Sequence, residues 1–404
     1  MYCIKEVAEK LVWIGSNDRR LNLFENIIPI PEGISYNSYL LLDEKTVLLD
    51  TVDRSITDVF MENLKFALGG RGLDYIVVNH MEPDHCATLI EVLERYPQAR
   101  VVGNVKTFSV ISQLYHIDLG ERAVIVKEGD SLDTGSHTLR FYMMPMVHWP
   151  EVMATYDETA AILFTADAFG CFGTLNGHIF SDEFDFQNVL LERARRYYSN
   201  IVGKYGPQVQ AALKKLSALP MAMICPLHGP VWRGDLTEIL RYYQLWSTYT
   251  PEKQGVVIAY ASIYGNTENA VNVLAGRLTE QGIREIHMYD VSDTDPSYIL
   301  SEAFCYGHLV LASSTYNNSV FPKMESLIAD MKGHNLQNRT VALLENGTWA
   351  PMAGKKMQEL LESMKGMRLA AVPFTIRSSL APEQLADFTK WSDLFAEDVL
   401  SSGQ

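Results

Sequence analysis

Cysteine is scarce in this 404-residue sequence, and no two cysteines are spaced as a metal-binding or redox pair. The cysteines are scattered and odd in number, so they predict neither a C-x-x-C motif nor a disulfide framework. This absence excludes a cysteine-ligated iron module of the rubredoxin or iron–sulfur kind within the chain. We expect small structural thiols at Cys3, Cys86, Cys171, Cys225 and Cys305.

Long apolar runs and an excess of basic residues are also missing. No run approaches the roughly 18 residues that cross a bilayer, and the N-terminus carries Lys5, Glu6 and Glu9 where a secretory signal is apolar. We therefore expect a cytoplasmic protein without a membrane partner. Acidic residues number 49 against 34 basic ones, for a net charge of -15. Repulsion from phosphates argues against nucleic acid as a partner.

The pattern of predicted strands and helices changes part-way along the chain. Up to about residue 245, segments such as KTVLLDT, LDYIVVNH and AAILFTADA predict a sheet-on-sheet core with helices outside. Beyond that point, strands such as GVVIAYAS alternate with helical stretches such as TENAVNVLAGRLTEQG, which is typical of a parallel doubly wound sheet. The polar segment TPEKQG marks the boundary, so we predict domains at residues 1–249 and 254–404.

Ligand-type side chains are concentrated in the segment NHMEPDH, directly after the apolar run YIVV. Side chains can converge on one point where a strand ends and the loop bends, and Pro83 restricts the backbone of Glu82 there. Three further ligand-type residues each end an apolar strand-like run. Together they form a candidate metal site of seven residues, namely His80, Glu82, Asp84, His85, His148, Asp167 and His228.

The order H-x-E-x-D-H, followed by His, Asp and His at long intervals, resembles the flavodiiron branch of the metallo-β-lactamase fold. The hydrolase branch usually opens with H-x-H-x-D-H and commonly binds zinc, whereas this sequence has Glu82. Added carboxylate oxygen favours iron over zinc, and three carboxylates with one hydroxide would neutralise two ferrous ions. We therefore predict a di-iron centre. The resemblance implies one iron on His80, Glu82 and His148, the other on Asp84, His85 and His228, and Asp167 bridging both.

Two aromatic residues accompany these ligands. Trp149 directly follows a ligand, and Tyr198 matches a position that lines the metal pocket in relatives. A tyrosine hydroxyl there could donate a hydrogen bond to bound oxygen or nitric oxide, while core packing explains both aromatics equally well. Many relatives carry histidine in a segment of the form F-H-G, where this chain reads Phe24-Glu25-Asn26.

A second candidate site follows the strand GVVIAYA. The turn S-I-Y-G-N-T leads into a helix, whose N-terminal N–H groups suit a phosphate, and it resembles the flavodoxin phosphate loop. The loops SSTYNNS and ENGTWAP also follow apolar strands, and Trp349 and Tyr316 could flank an isoalloxazine ring. FMN is favoured over FAD or NAD because no G-x-G-x-x-G follows the strand. The predicted FMN-binding residues are Ser262, Ile263, Tyr264, Gly265, Asn266, Thr267, Ser314, Thr315, Tyr316, Asn317, Asn318, Asn346, Gly347, Thr348 and Trp349.

The two halves together imply a fold and an activity. The resemblance implies an N-terminal metallo-β-lactamase-like αββα sandwich, and a C-terminal flavodoxin-like parallel sheet. It implies a soluble reductase of oxygen to water, or alternatively of nitric oxide to nitrous oxide, acting as a head-to-tail homodimer or tetramer. The electron donor would be a rubredoxin or a reduced deazaflavin. A zinc hydrolase and a pure electron carrier with a decayed metal domain are the competing interpretations.

Overall fold

The computed structural model describes residues 2–402. The chain divides into two compact units, Met1–Tyr198 with Pro207–Tyr243, and Ser199–Gly206 with Gln244–Gln404. Within residues 2–402, none of the helices combines the length and the apolar character needed to span a bilayer. The expected cytoplasmic location stays a prediction.

The first half of the chain is rich in short strands. The strands are β1 (Lys5–Ala8), β2 (Leu11–Trp13), β3 (Ser16–Asp18), β4 (Leu23–Phe24), β5 (Ile28–Pro29), β6 (Ile34–Tyr36), β7 (Tyr39–Leu42), β8 (Thr46–Leu49), β9 (Tyr75–Val77), β10 (Arg100–Gly103), β11 (Ala123–Ile125), β12 (Ser131–Asp133), β13 (Thr138–Met143), β14 (Met153–Asp157), β15 (Ile162–Phe164), β16 (Met223–Cys225) and β17 (Trp232–Arg233). The α-helices along this stretch are α1 (Thr57–Leu68), α2 (Pro83–Cys86), α3 (Leu89–Arg95), α4 (Val105–Tyr115), α5 (Leu191–Tyr197), α6 (Gly206–Leu216) and α7 (Thr237–Ser247).

Most of these strands form two sheets that share one core, while β3 pairs with β6 and β4 with β5 in two small sheets. One sheet has the order β1-β2-β7-β8-β9-β10-β11, and the other has the order β12-β13-β14-β15-β16-β17. Leu41 and Val102 of the first sheet and Phe141 and Phe164 of the second belong to one buried cluster. Burying a side chain of this size contributes about 1.5–3 kcal/mol. The predicted sheet-on-sheet core is confirmed.

The second half of the chain alternates strands and helices. Its strands are β18 (Lys253–Ala261), β19 (Ile286–Asp290), β20 (Tyr306–Tyr316), β21 (Ser319–Val320), β22 (Thr340–Asn346), β23 (Arg368–Leu369) and β24 (Phe374–Ile376). Its helices are α8 (Asn266–Glu280), α9 (Pro296–Cys305), α10 (Pro322–Gly333), α11 (Ala353–Leu361) and α12 (Leu385–Ser401).

The second sheet system is parallel along its main path. The order is β19-β18-β20-β22-β23, with β24 parallel to β22 and the short β21 antiparallel to β20. Helices α8 and α12 pack together over β18, while α9, α10 and α11 form a second group of neighbours on the same sheet. Strand β18 is buried along nearly its whole apolar run, as expected for a sheet covered on both faces. The predicted doubly wound sheet is confirmed.

Candidate metal centre and cofactor cavity

The seven predicted metal ligands lie in the first unit, in segments that follow strand ends. Residue 80 comes after β9, and the next three ligands stand at the start of α2 or within it. Pro83 occupies the first position of α2, where no N–H is needed, and it holds Glu82 in an extended conformation. The other three ligands, His148, Asp167 and His228, follow β13, β15 and β16.

Four of these side chains form one group of potential ligand atoms, all within 4.8 Å of one another. The Nε2 atoms of His80 and His148 each lie 3.1 Å from Oε2 of Glu82. The same two nitrogens lie 3.5 and 3.1 Å from Oδ2 of Asp167. Two imidazoles and two carboxylates therefore face one point.

The remaining three side chains form a second group with the same spacing limit. The Nε2 atoms of His85 and His228 lie 3.4 and 3.1 Å from Oδ2 of Asp84. They lie 3.0 and 3.8 Å from Oδ1 of Asp167. Asp167 therefore turns one carboxylate oxygen toward each group, which is the arrangement of a bridging ligand.

The donor atoms of the second group show that the site suits cations. Oδ2 of Asp84, Nε2 of His85 and Nε2 of His228 are buried, and these atoms make no hydrogen bond within residues 2–402. Buried polar atoms are almost always hydrogen-bonded, so atoms that face each other without bonding indicate a ligand set. Three carboxylates and four imidazoles fit two divalent ions with hard-oxygen preference.

Contacts behind the imidazoles differ between the two groups. Nδ1 of His80 lies 2.8 Å from Oε1 of Glu151, and the same oxygen accepts the N–H of Met81 at 3.0 Å. Nδ1 of His228 instead lies 2.8 Å from the carbonyl oxygen of Ser35. Each bond leaves Nε2 free to face the site. Sequence reasoning missed Glu151, because its local sequence does not mark it as a partner of the distant His80.

A buried aspartate shapes the first ligand loop, and it was also missed. Asp50 has a positive φ of 56°, and its Oδ1 accepts the N–H groups of Asn79 at 2.7 Å and His80 at 3.2 Å. The neighbouring Thr51 donates both its N–H and its hydroxyl to the carbonyl of His85, at 2.9 and 2.8 Å. The end of β8 therefore holds the loop that carries four of the seven ligands.

The two aromatic residues that were predicted beside the metal ligands, Trp149 and Tyr198, lie in different surroundings. The ring of Trp149 stands edge-on to His80, with 5.4 Å between ring centroids. Tyr198 is buried and packs edge-on against Tyr243 at 5.1 Å. The residue before it, Tyr197, has its ring centroid 5.5 Å from that of the ligand His228, and the ring of Tyr36 lies 5.6 Å from the same histidine.

The segment between β4 and β5 reaches the first ligand group. Glu25 and Asn26 both have positive φ, 50° and 58°, which is a conformation that side chains with a Cβ rarely adopt. Partial burial and the neighbouring Glu82 carboxylate raise the pKa of Glu25 to about 7. Glu25 therefore brings a further acidic group to the edge of the metal site.

The second candidate site is built from three loops of the second unit. Gly265, with φ of 83°, precedes α8 and allows the turn that a residue with a Cβ would strain. The hydroxyls of Thr267 and Ser314 lie 2.9 Å apart, and the Asn346 amide donates to the Thr267 hydroxyl at 3.3 Å. The hydroxyl of Thr315 accepts the N–H groups at the start of α11, at 3.0 and 3.2 Å. These bonds hold the loops together around one cavity.

This cavity has a volume of about 550 Å³. Every predicted FMN-binding residue lines it except Gly265 and Tyr316, and the ring of Tyr316 instead packs edge-on against Phe321. Ala350 and Ser378 also line it, and sequence reasoning missed both. The predicted residues that do line the cavity are Ser262, Ile263, Tyr264, Asn266, Thr267, Ser314, Thr315, Asn317, Asn318, Asn346, Gly347, Thr348 and Trp349.

No charged side chain lines the cavity within residues 2–402. Glu345, the first residue of the loop ENGTWAP, does not line the cavity. It accepts hydrogen bonds from the N–H of Gly354 and the hydroxyl of Thr375, at 2.8 and 2.7 Å. Trp349 and Tyr264 are 87% and 91% exposed, so both rings are accessible for stacking on a bound ring system. Neutral hydroxyls, amides and the α8 N-terminus suit a phosphate.

Comparison with known proteins agrees with this two-part architecture. A family described as ODP family beta lactamase matches residues 34–229, and the flavodoxin family matches residues 258–391. An anaerobic nitric oxide reductase flavorubredoxin from Aeromonas hydrophila is 33% identical over 369 residues, covering 88% of this chain and 72% of that protein. The chain belongs to the flavodiiron family.

Solved structures of the flavodiiron family superpose on nearly the whole chain. The rubredoxin oxygen:oxidoreductase from Desulfovibrio gigas is 26% identical with a TM-score of 0.93, covering 98% of this chain and 99% of that one. A mutant flavo di-iron protein from Thermotoga maritima is 25% identical with a TM-score of 0.90, covering 98% of both chains. The flavodiiron protein described here is an oxidoreductase whose cofactors are FMN and a di-iron centre, and nitric oxide and oxygen are the substrates of its family.

Proposed function

We propose that the seven residues divide into two iron positions. His80, Glu82 and His148 hold one iron, and Asp84, His85 and His228 hold the other. Asp167 bridges the two. The observation that carries this assignment is that the two oxygens of Asp167 face different groups, at 3.1 Å from His148 and 3.0 Å from His85.

The proposed flavin site uses the neutral cavity at the loops of the second unit. The N–H groups at the start of α8 and the hydroxyls of Thr267 and Ser314 would hold the phosphate. The rings of Trp349 and Tyr264 are exposed, and we propose that they stack on the isoalloxazine. When bound, iron supplies open positions for a diatomic molecule and FMN supplies electrons one at a time.

We propose four-electron reduction of oxygen to water as the preferred reaction. The Desulfovibrio gigas protein, named an oxygen oxidoreductase, matches this chain almost end to end, which supports oxygen as the substrate. Nitric oxide reduction to nitrous oxide is the second candidate, favoured by the name of the Aeromonas hydrophila relative. Both reactions would use the same iron positions.

Anaerobic reduction followed by rapid mixing tests the choice of substrate. The reduced, iron-loaded and FMN-loaded protein is mixed with oxygen or, separately, with nitric oxide, and flavin reoxidation is followed optically. We expect flavin reoxidation to be faster with oxygen than with nitric oxide, and each oxygen molecule to consume four electrons. A matched iron-free, FMN-loaded sample should lack this fast reoxidation. Faster reaction with nitric oxide and production of nitrous oxide would favour the second candidate. A protein that contains only zinc would contradict both.

The electron donor and the assembly are further parts of the proposal. We propose a rubredoxin or a reduced deazaflavin as the donor to FMN, and a head-to-tail homodimer or tetramer as the active form, with domains at residues 1–249 and 254–404. Iron ligands and flavin loops belong to separate compact units, which supports transfer between neighbouring subunits. Light scattering of the holoprotein combined with an activity assay checks this, because a fully active single chain would contradict it.

A further inference from the structure

The contacts behind the two ligand groups are unequal, and Glu151 causes the difference. This carboxylate is completely buried, and its Oε1 lies 2.8 Å from Nδ1 of His80. A carboxylate only accepts hydrogen bonds, so Nδ1 of His80 carries a hydrogen and Nε2 is the ring nitrogen that would bind a metal ion. The side chain amide of Asn104 holds the backbone carbonyl of Glu151 at 2.6 Å, which helps to fix its position.

In the second ligand group, no carboxylate of residues 2–402 makes a hydrogen bond to Nδ1 of either histidine. His228 donates from Nδ1 to the neutral carbonyl of Ser35, at 2.8 Å. Nδ1 of His85 is buried and has no hydrogen-bond partner within residues 2–402. Both groups face Asp167 and each has one further carboxylate of its own, and Glu151 is the carboxylate that contacts a ligand histidine at its Nδ1.

The charge of Glu151 acts on the site with little screening. Its Oε2 is buried without a hydrogen-bond partner in the described chain. Its Oε1 contacts Nδ1 of His80 and the N–H of Met81, so these two groups are the ones that stabilise its negative charge directly. In a buried setting the interaction between charges is far stronger than at the surface. A carboxylate behind a ligating histidine raises the basicity of that ligand, and such partners are commonly worth 10–100-fold in metal affinity.

We propose that Glu151 is a positioning residue that makes the two iron positions unequal, by stabilising the more positive state of the iron held by His80. This inference rests on the proposed ligand assignment. It concerns the one-electron ferric/ferrous couple at each position, and places the lower reduction potential at the His80 position. The mixed-valence state, with one ferric and one ferrous ion, is then stabilised relative to the two symmetric states.

A redox titration of the holoprotein, monitored by the electron paramagnetic resonance of the mixed-valence state, tests this role. Glu151→Gln keeps an oxygen acceptor for His80 and removes the charge. We expect the equilibrium constant for forming the mixed-valence state to fall about tenfold, which equals about 59 mV less separation between the two one-electron couples. Glu158→Gln is the matched control, because Glu158 pairs with the partly exposed Arg140 and belongs to neither ligand group.

A metal-binding measurement gives a second readout that does not depend on redox chemistry. Cobalt(II) added to the metal-free protein should bind in two steps, and Glu151→Gln should weaken one step about tenfold and leave the other unchanged. Glu151→Asp keeps the charge and should restore most of the mixed-valence stability. Circular dichroism and FMN content establish that each variant is folded.

Some results would overturn the role of Glu151 while leaving the function intact. An unchanged potential separation in Glu151→Gln would contradict it, as would equal weakening of both cobalt steps. If Glu151→Gln fails to fold, Glu151→Asp becomes the test. The proposal would be overturned if the mixed-valence state of Glu151→Asp were no more stable than statistics predict for two identical iron positions. Absence of an iron pair from the wild-type protein would instead contradict the proposed function itself.

Discussion

The two candidate cofactor sites of this flavodiiron protein recognise their ligands by opposite means. The metal centre collects three carboxylates and four imidazoles in a buried setting, and several of these atoms have no hydrogen-bond partner within residues 2–402. The flavin cavity is lined by neutral hydroxyls, amides and exposed aromatic rings. Charge therefore defines one site, while backbone N–H groups and loop shape define the other. Substitutions, pH and ligand removal should affect them separately.

The largest expected effect comes from removing the bridging carboxylate. Asp167→Ala takes away a side chain whose two oxygens face both ligand groups, so iron content should fall by at least tenfold and turnover should become undetectable. FMN content should stay unchanged because the flavin cavity has no residue in common with the metal site. Metal analysis and flavin absorbance check this. Full iron content in the variant would contradict the bridging role.

The second-largest expected effect is a difference in pH dependence, because metal affinity should change with pH while FMN affinity should not. Burial alone would lower the pKa of His148, but hydrogen bonds to Asp167 and Glu82 outweigh it and raise the pKa to about 9 in the metal-free chain. A metal ion must displace this proton, so metal affinity should rise with pH up to pH 9, by about tenfold per unit for this one proton, and the raised pKa of His80 acts in the same direction. FMN affinity should change little over pH 6.5–9.

Titration calorimetry of the metal-free protein with cobalt(II), and fluorescence titration with FMN, measure the two pH profiles. The FMN profile is the internal control, since it reports whether the protein itself changes with pH. A flat metal profile between pH 7 and 9 would contradict the raised pKa of His148.

The smallest effect is expected from one hydroxyl of the flavin cavity. Thr267→Val removes a group that bonds Ser314 and Asn346, so FMN affinity should fall about fivefold, which corresponds to about 1 kcal/mol. Iron content should not change. Thr279→Val is the matched control, because Thr279 lies on the same helix and its hydroxyl donates to the Ala275 carbonyl of that helix. Equal FMN affinity in both variants would contradict a role for Thr267.

Some features were predictable because their signal lies within a few consecutive residues. The spacing of NHMEPDH after an apolar strand indicated a metal site, and the turn before α8 indicated a phosphate site. Other features depend on side chains that meet only after folding. Glu151 is 71 positions from His80 in the chain, and its local sequence does not distinguish it from a surface acid. Glu345 shows the reverse, because its position suggested the flavin site while it does not line the cavity.

The sequence by itself determined which residue types are available and where strands end, since hydrophobic periodicity and turn residues are local properties. It therefore predicted the two sheet systems, the ligand types and the flavin loops. Only the tertiary structure decided that Asp167 divides its oxygens between two groups, that Tyr197 contacts His228 where Tyr198 packs on Tyr243, and that one histidine is backed by a carboxylate. Such choices depend on rotamers and on contacts between distant segments, which local sequence does not specify.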